Sequence, residues 1–190
     1  MQFLTRIVAA FLLIAALAAP ASAQSISSPA DMLSSGQYFA LVNRVDSFDA
    51  AMKTNDMAAI MGVIPPKVLD KIASSFGVSN AELIAAAQQQ LDEALKTVTF
   101  VSFSMDLKNA TTFRTADDTP YALIPTETVM DLGEAGGKIR ATSSTLGLLD
   151  GETWYLVRVE DAQQVAILKE VYPAFANVTF PAGSVEPVTE

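Results

Sequence analysis

The stretch Thr145-Leu146-Gly147-Leu148-Leu149-Asp150-Gly151-Glu152-Thr153-Trp154-Tyr155-Leu156-Val157-Arg158-Val159 decides how this chain folds. Two apolar runs meet at Asp-Gly, a dipeptide that closes a tight antiparallel hairpin. A two-residue loop at Asp150-Gly151 predicts Leu149 opposite Glu152, Gly147 opposite Trp154, Thr145 opposite Leu156 and Ser143 opposite Arg158. A glycine opposite an indole leaves room for the ring to lie over the neighbouring strand. Side chains alternate across a strand, so Gly147, Trp154 and Leu156 share one face. Leu146, Leu148, Tyr155, Val157 and Val159 take the other. Both faces are apolar, whereas an antiparallel sheet with one solvated face is polar on that side. Something must therefore cover the second face: the C-terminal segment or a second subunit.

Upstream, the period-two pattern begins at Thr97 and continues through Leu107, with a one-residue slip near Phe100 that predicts a bulge or bend. Tyr121–Met130 and Lys138–Leu149 supply two further runs, separated by Gly136-Gly137. Before Thr97 the period is helical. Tyr38, Leu41, Val42, Val45, Phe48 and Met52 recur at three- and four-residue steps. Short helices are expected from Met57 to Val63 and from Lys67 to Phe76, the latter ended by Gly77. Ser79-Asn80-Ala81-Glu82 is a capping box that opens a helix to about Lys96. After the hairpin, Asp161 caps a last helix through about Val171, which Pro173 stops. The fold class is thus α+β: N-terminal helices packed on a bent antiparallel sheet of about four strands, with a C-terminal helix. One domain is expected over 37–175, and 176–190 reads as an edge segment or tail.

The N-terminus reads differently. Arg6, the apolar run 7–19, Pro20 and Ala21-Ser22-Ala23 form a charged start, a greasy core and a small-residue cleavage site. That is a secretory signal peptide over 1–23, too short for a bilayer-spanning helix. A linker is expected over 24–36. The expected location is the periplasm, with secretion to the medium as the alternative, and no membrane span after cleavage.

Composition narrows the chemistry. The 190 residues contain no histidine and no cysteine, which excludes Ser-His-Asp and Cys-His catalysis, disulfides and the usual zinc sites. A net charge of −9 disfavours nucleic acid, because phosphate contacts need a basic face. No phosphate-loop pattern is present, and no cofactor or metal is expected. Met52, Met57 and Met61 read as core filler rather than a copper(I) site. Asp117-Asp118 reads as an acidic turn, and Asp46 with Asp49 as a solvated helix face.

Two motifs carry a family resemblance: Phe48-Asp49-Ala50-Ala51-Met52-Lys53-Thr54-Asn55-Asp56-Met57-Ala58-Ala59-Ile60, and Leu149-Asp150-Gly151-Glu152-Thr153-Trp154-Tyr155-Leu156. They resemble the opening helix pair and the closing hairpin of the nuclear transport factor 2-like, or cystatin-like, α+β cone, over about residues 38–160. The resemblance implies a pocket between first helix and sheet, and dimers through the sheet face. It implies no single reaction, since the fold hosts isomerases, dehydratases and non-catalytic binding modules alike.

Arg158 shares a face with Trp154, and Tyr121 or Tyr155 is expected nearby, so Trp154, Arg158 and Tyr121 are the candidate contacts for an anionic or carboxylated small molecule. A salt bridge from Arg158 to Glu160, Glu152 or a helix carboxylate is the competing reading. The expected function is an exported non-catalytic binding or assembly module, with a homodimer through Leu146, Leu148, Tyr155, Val157 and Val159. The alternative is a histidine-free lyase or isomerase, which needs a carboxylate among Asp46, Asp49, Asp106, Glu127 or Asp131 inside a cavity beside a tyrosine.

Overall fold

The computed structural model describes residues 32–188. The expected signal peptide and residues 24–31 of the expected linker lie outside the described residues. The last residues of that linker do not behave as a tether. Leu33 is buried in the main hydrophobic cluster. Ser34 caps the first helix, accepting from the Gln37 amide at 3.2 Å while the Gln37 side chain accepts from the Ser34 amide at 3.0 Å.

That helix, α1 (Ser35–Thr54), ends where Asn55 turns left-handed at φ 53°. Asp56 caps the one-turn α2 (Met57–Met61). Pro66 opens α3 (Pro66–Phe76), because a proline in the first turn forfeits no helical bond, and Gly77 closes it at φ 66°. The expected capping box of Ser79 and Glu82 opens α4 (Asn80–Ala94). The strands are β1 (Thr99–Met105), β2 (Thr111–Arg114), β3 (Pro120–Asp131), β4 (Lys138–Asp150) and β5 (Thr153–Arg158). They are followed by α5 (Ala162–Val171), a tight turn at Pro173–Phe175 and β6 (Ser184–Pro187).

The expected α+β architecture is present, and the sheet has six strands. Its spine is the β3–β4 ribbon, paired from Tyr121↔Leu148 to Asp131↔Lys138. On the outer edge of β3, β2 pairs near the start of the strand and β1 nearer its end. On the outer edge of β4, β6 pairs near its start and β5 near its end. The slip read near Phe100 is a bulge between Phe100 and Ser102. It leaves Val101 half-exposed on an edge strand, where bulges hinder pairing with other chains.

The hairpin register differs from expectation by two residues. Asp150 belongs to the strand and faces Thr153, so the loop is Gly151-Glu152 and Leu149, not Gly147, faces Trp154. Only the first loop position has a positive φ, 64° at Gly151, as a glycine-led type II′ turn requires. A shift of two preserves every side chain's face, so the predicted distribution of apolar residues survives. The space at Gly147 serves a helix rather than the indole: a Cβ there would lie 3.1 Å from Leu41 Cδ1. The missing side chain lets α1 settle directly onto the sheet.

Both apolar faces are covered from within the chain. On the first, Leu41 and Val45 of α1 pack with Val63, Ala122, Ile124, Trp154 and Leu156. On the second, Leu168 and Phe175, with Val165, Tyr172, Val178 and Phe180 beside them, cover Tyr121, Leu146, Leu148, Val157 and Val159. The C-terminal segment is thus the cover for the second face, and the residues expected to form a dimer contact are already occupied. Burying a leucine or isoleucine side chain contributes about 1.5–3 kcal/mol. Leu41, Ile124, Leu146, Leu148 and Leu168 are all essentially inaccessible.

A third cluster, Met61, Leu69, Ala73 and Leu83, joins α2, α3 and α4. The outer edge of β5 is closed by the link between α2 and α3, since the Leu156 amide donates to the Val63 carbonyl at 2.8 Å. The far half of the ribbon is different. There Arg140 reaches Glu127 at 3.2 Å and Glu186 at 3.4 Å across three strands. That stretch of the second face is polar, as a solvated sheet face should be.

Gly147→Val forces two methyl groups into the Leu41 contact. We expect a loss of about 1–3 kcal/mol in urea unfolding, the usual cost of overpacking. Unchanged stability would show that α1 does not rest on this strand as described.

Candidate functional site

The three residues expected to line one pocket are not brought together. Trp154 lies under α1 on the first face, where its indole Nε1 donates to the Gln37 carbonyl at 2.9 Å. Tyr121 lies on the opposite face, stacked on Phe113 with centroids 5.3 Å apart and edge-on to Phe175 at 5.2 Å. Burial pushes its phenol above the ordinary tyrosine range. Arg158 alternates onto the Trp154 face, opposite Thr145, and is ion-paired with Glu160. The competing salt-bridge reading of Arg158 is therefore the one realised. The space between α1 and these strands holds the fully buried side chains of Leu41, Ile124 and Trp154, together with a hydrogen-bonded hydroxyl pair, Thr126 and Thr145, at 2.8 Å.

The carboxylates proposed for acid–base work are spread over the surface. Asp46 is exposed, and Asp49 pairs with Lys53 one turn along α1. Glu127 pairs with Arg140. Asp131 accepts from the Gly133 amide at 2.9 Å. Asp106 closes the β1–β2 turn by accepting from the Asn109 side chain and from the amides of Lys108 and Asn109, bonds that keep it below the usual carboxylate range. Asp117 accepts from the Thr115 hydroxyl, and Asp118, at φ 65°, pairs with Arg114 at 3.3 Å. That loop is the acidic turn its sequence suggested. Among the described residues, no three aspartate or glutamate side chains gather as a metal site. Met61 is buried and Met57 packs against it, both as core.

One carboxylate–tyrosine contact was missed in the sequence. Asp150 Oδ2 accepts from Lys67 Nζ at 2.8 Å and from the Tyr172 hydroxyl at 2.8 Å. The ammonium of Lys67 also sits 5.4 Å from the Tyr172 ring centroid. Asp150 therefore ties the hairpin tip to the start of α3 and the end of α5. Hydrogen bonding from Lys67 holds its carboxyl below the usual range, and Tyr172 adds to this. Burial, then the bond to Asp150, pushes the Tyr172 phenol well above its ordinary value. Such a carboxylate is kept ionised and is a poor proton acceptor. Nothing local marks this role, since Asp-Gly signals a turn whatever its side chain meets.

A second arrangement, also unread in the sequence, lies beside the second face. A groove of about 260 Å³ runs between α5 and the extended residues 178–182, with Ala162, Val165 and Lys169 along one wall and Val178 and Phe180 along the other. The spacing of Ala162, Val165 and Lys169 marks one helical side and was legible in principle. The opposing wall comes from a segment without period, so its placement was not. Nor is there outside guidance: no family model, curated protein or solved structure matches this chain.

The Asp150 junction has a testable pH signature. Its native pKa is lowered, so its contribution is present above the unfolded value of about 3.9 and is lost as pH falls through the lower native value. The stability difference between wild type and Asp150→Asn should be level from pH 5 to 7 and shrink below about pH 4. A difference that persists undiminished to pH 2 would rule the junction out. Because Asp150 is partly exposed, added salt should weaken the effect.

Proposed function

We propose that this chain is an exported, non-catalytic binding or assembly module of the envelope, periplasmic rather than released. Export rests on Arg6, the apolar run 7–19 and Ala21-Ser22-Ala23. The observation that carries the non-catalytic reading is the state of Asp150. Among the described residues it is the carboxylate hydrogen-bonded to a tyrosine, and it is engaged by Lys67 and Tyr172 in joining three elements. A general base needs the opposite, a carboxylate whose affinity for protons is raised in a cavity. The lyase or isomerase alternative is not supported by the placement of its candidates: Asp46 is exposed, Asp49 pairs with Lys53, Glu127 pairs with Arg140, and Asp106 and Asp131 accept from turn amides.

The binding mode also shifts. With Trp154 sealed beneath α1 and Arg158 paired to Glu160, a ligand chamber inside the cone loses its polar anchor. Self-association through Leu146, Leu148, Tyr155, Val157 and Val159 would require α5 to leave the sheet. Surface features therefore support the reading best, the α5 groove foremost.

The test is recovery of the protein from the envelope of its native host. Its N-terminus should be Gln24, and native mass spectrometry should show a bound small molecule or a defined assembly. A cytosolic protein retaining residues 1–23 would overturn export. A bare monomer recovered from the envelope would overturn the binding and assembly reading.

A further inference from the structure

We infer that the groove between α5 and residues 178–182 is a subsite for a small aliphatic carboxylate whose head is held by Lys169. The inference deepens the binding-module reading and rests on it. Ala162, Val165 and Lys169 lie seven residues from first to last, which at 1.5 Å per residue is about 10 Å of helix. Val178 and Phe180 face them, so hydrocarbon lines both sides of the trough, with Thr179 and Glu160 adding polar groups to its lining. The volume of about 260 Å³ suits a short alkyl chain.

The charges set the orientation. Lys169, in the last turn of α5, stands 6.0 Å from the Phe180 ring centroid. Among the described residues, no carboxylate pairs with it. Its neighbour Glu170 is drawn off to Lys71 on α3. Glu160, which also lines the groove, lies before the start of α5 and is ion-paired through Oε1 with Arg158. An anionic head at Lys169 thus meets a cation, while its tail meets apolar walls. A single ammonium over an aromatic ring suits one negative charge better than the multiple donors a phosphate head requires. A cationic amphiphile placed the same way would set like charges together.

The probe is octanoate, titrated calorimetrically into the chain beginning at Gln24. We expect one saturable site, with octan-1-ol binding at least tenfold more weakly. Lys169→Gln should lose at least tenfold in octanoate affinity, and Lys169→Arg should keep most of it. Thermal melting checks that both variants remain folded. Independently of the variants, methyl resonances of Val165 and Val178 in the wild type should move with octanoate and not with octylammonium. Equal affinity in wild type and Lys169→Gln, no saturable binding at millimolar octanoate, or resonance changes confined to other regions would each overturn the site. Should octanoate fail while a small molecule still co-purifies from the envelope, the groove assignment falls and the binding-module reading stands. Should both fail, both fall.

Discussion

A β-ribbon that is greasy on both sides cannot stand in water, and this constraint organises the rest of the molecule. Leu146 and Leu148 point one way, Gly147 and Leu149 the other, and Trp154 to Val159 repeat the alternation beside them. Each side needs its own lid. The chain supplies α1 from before the sheet and the segment from α5 to Phe180 from after it. Closing the second side from within leaves those residues covered without a second copy. It also places the C-terminal run so that its end can add β6 to the far edge of β4.

The cover extends only as far as the apolar pattern does. Beyond Thr145 toward Lys138, the second side carries Arg140 between Glu127 and Glu186, and it needs no lid. The two halves of one ribbon are thus built on different principles: hydrocarbon packing near the hairpin tip, exposed ion pairs at the other end. Exposed pairs of this kind contribute little, typically under about 1 kcal/mol each. The stability of the sheet therefore resides where both lids meet it. Asp150 joins that region to α3 and α5 through two hydrogen bonds.

Local signals were legible where local physics decides. The capping box at Ser79, the left-handed stop at Gly77, the bulge near Phe100 and the helix cap at Asp161 were all readable, because each depends on neighbours within a few residues. The hairpin register was not. Asp-Gly permits more than one two-residue loop, and a shift of two leaves every face unchanged, so periodicity cannot tell them apart. The candidate site fared worse. Tyr121 and Trp154 are both aromatic strand residues, but which side each occupies follows from pairing across β3, β4 and β5.

By itself the sequence determined the class of the fold, the order of its helices and main strands, and the need for two covers over the hairpin. Those follow from periods of 3.6 and 2 and from turn chemistry, all short-range. Only the tertiary structure decided that the C-terminal run is the second cover, that Gly147 admits Leu41, that Arg158 is taken by Glu160, and that α5 leaves a groove ending at Lys169. Each of these joins residues far apart along the chain. Their partners are chosen by which surfaces can exclude water together, a condition no local stretch encodes.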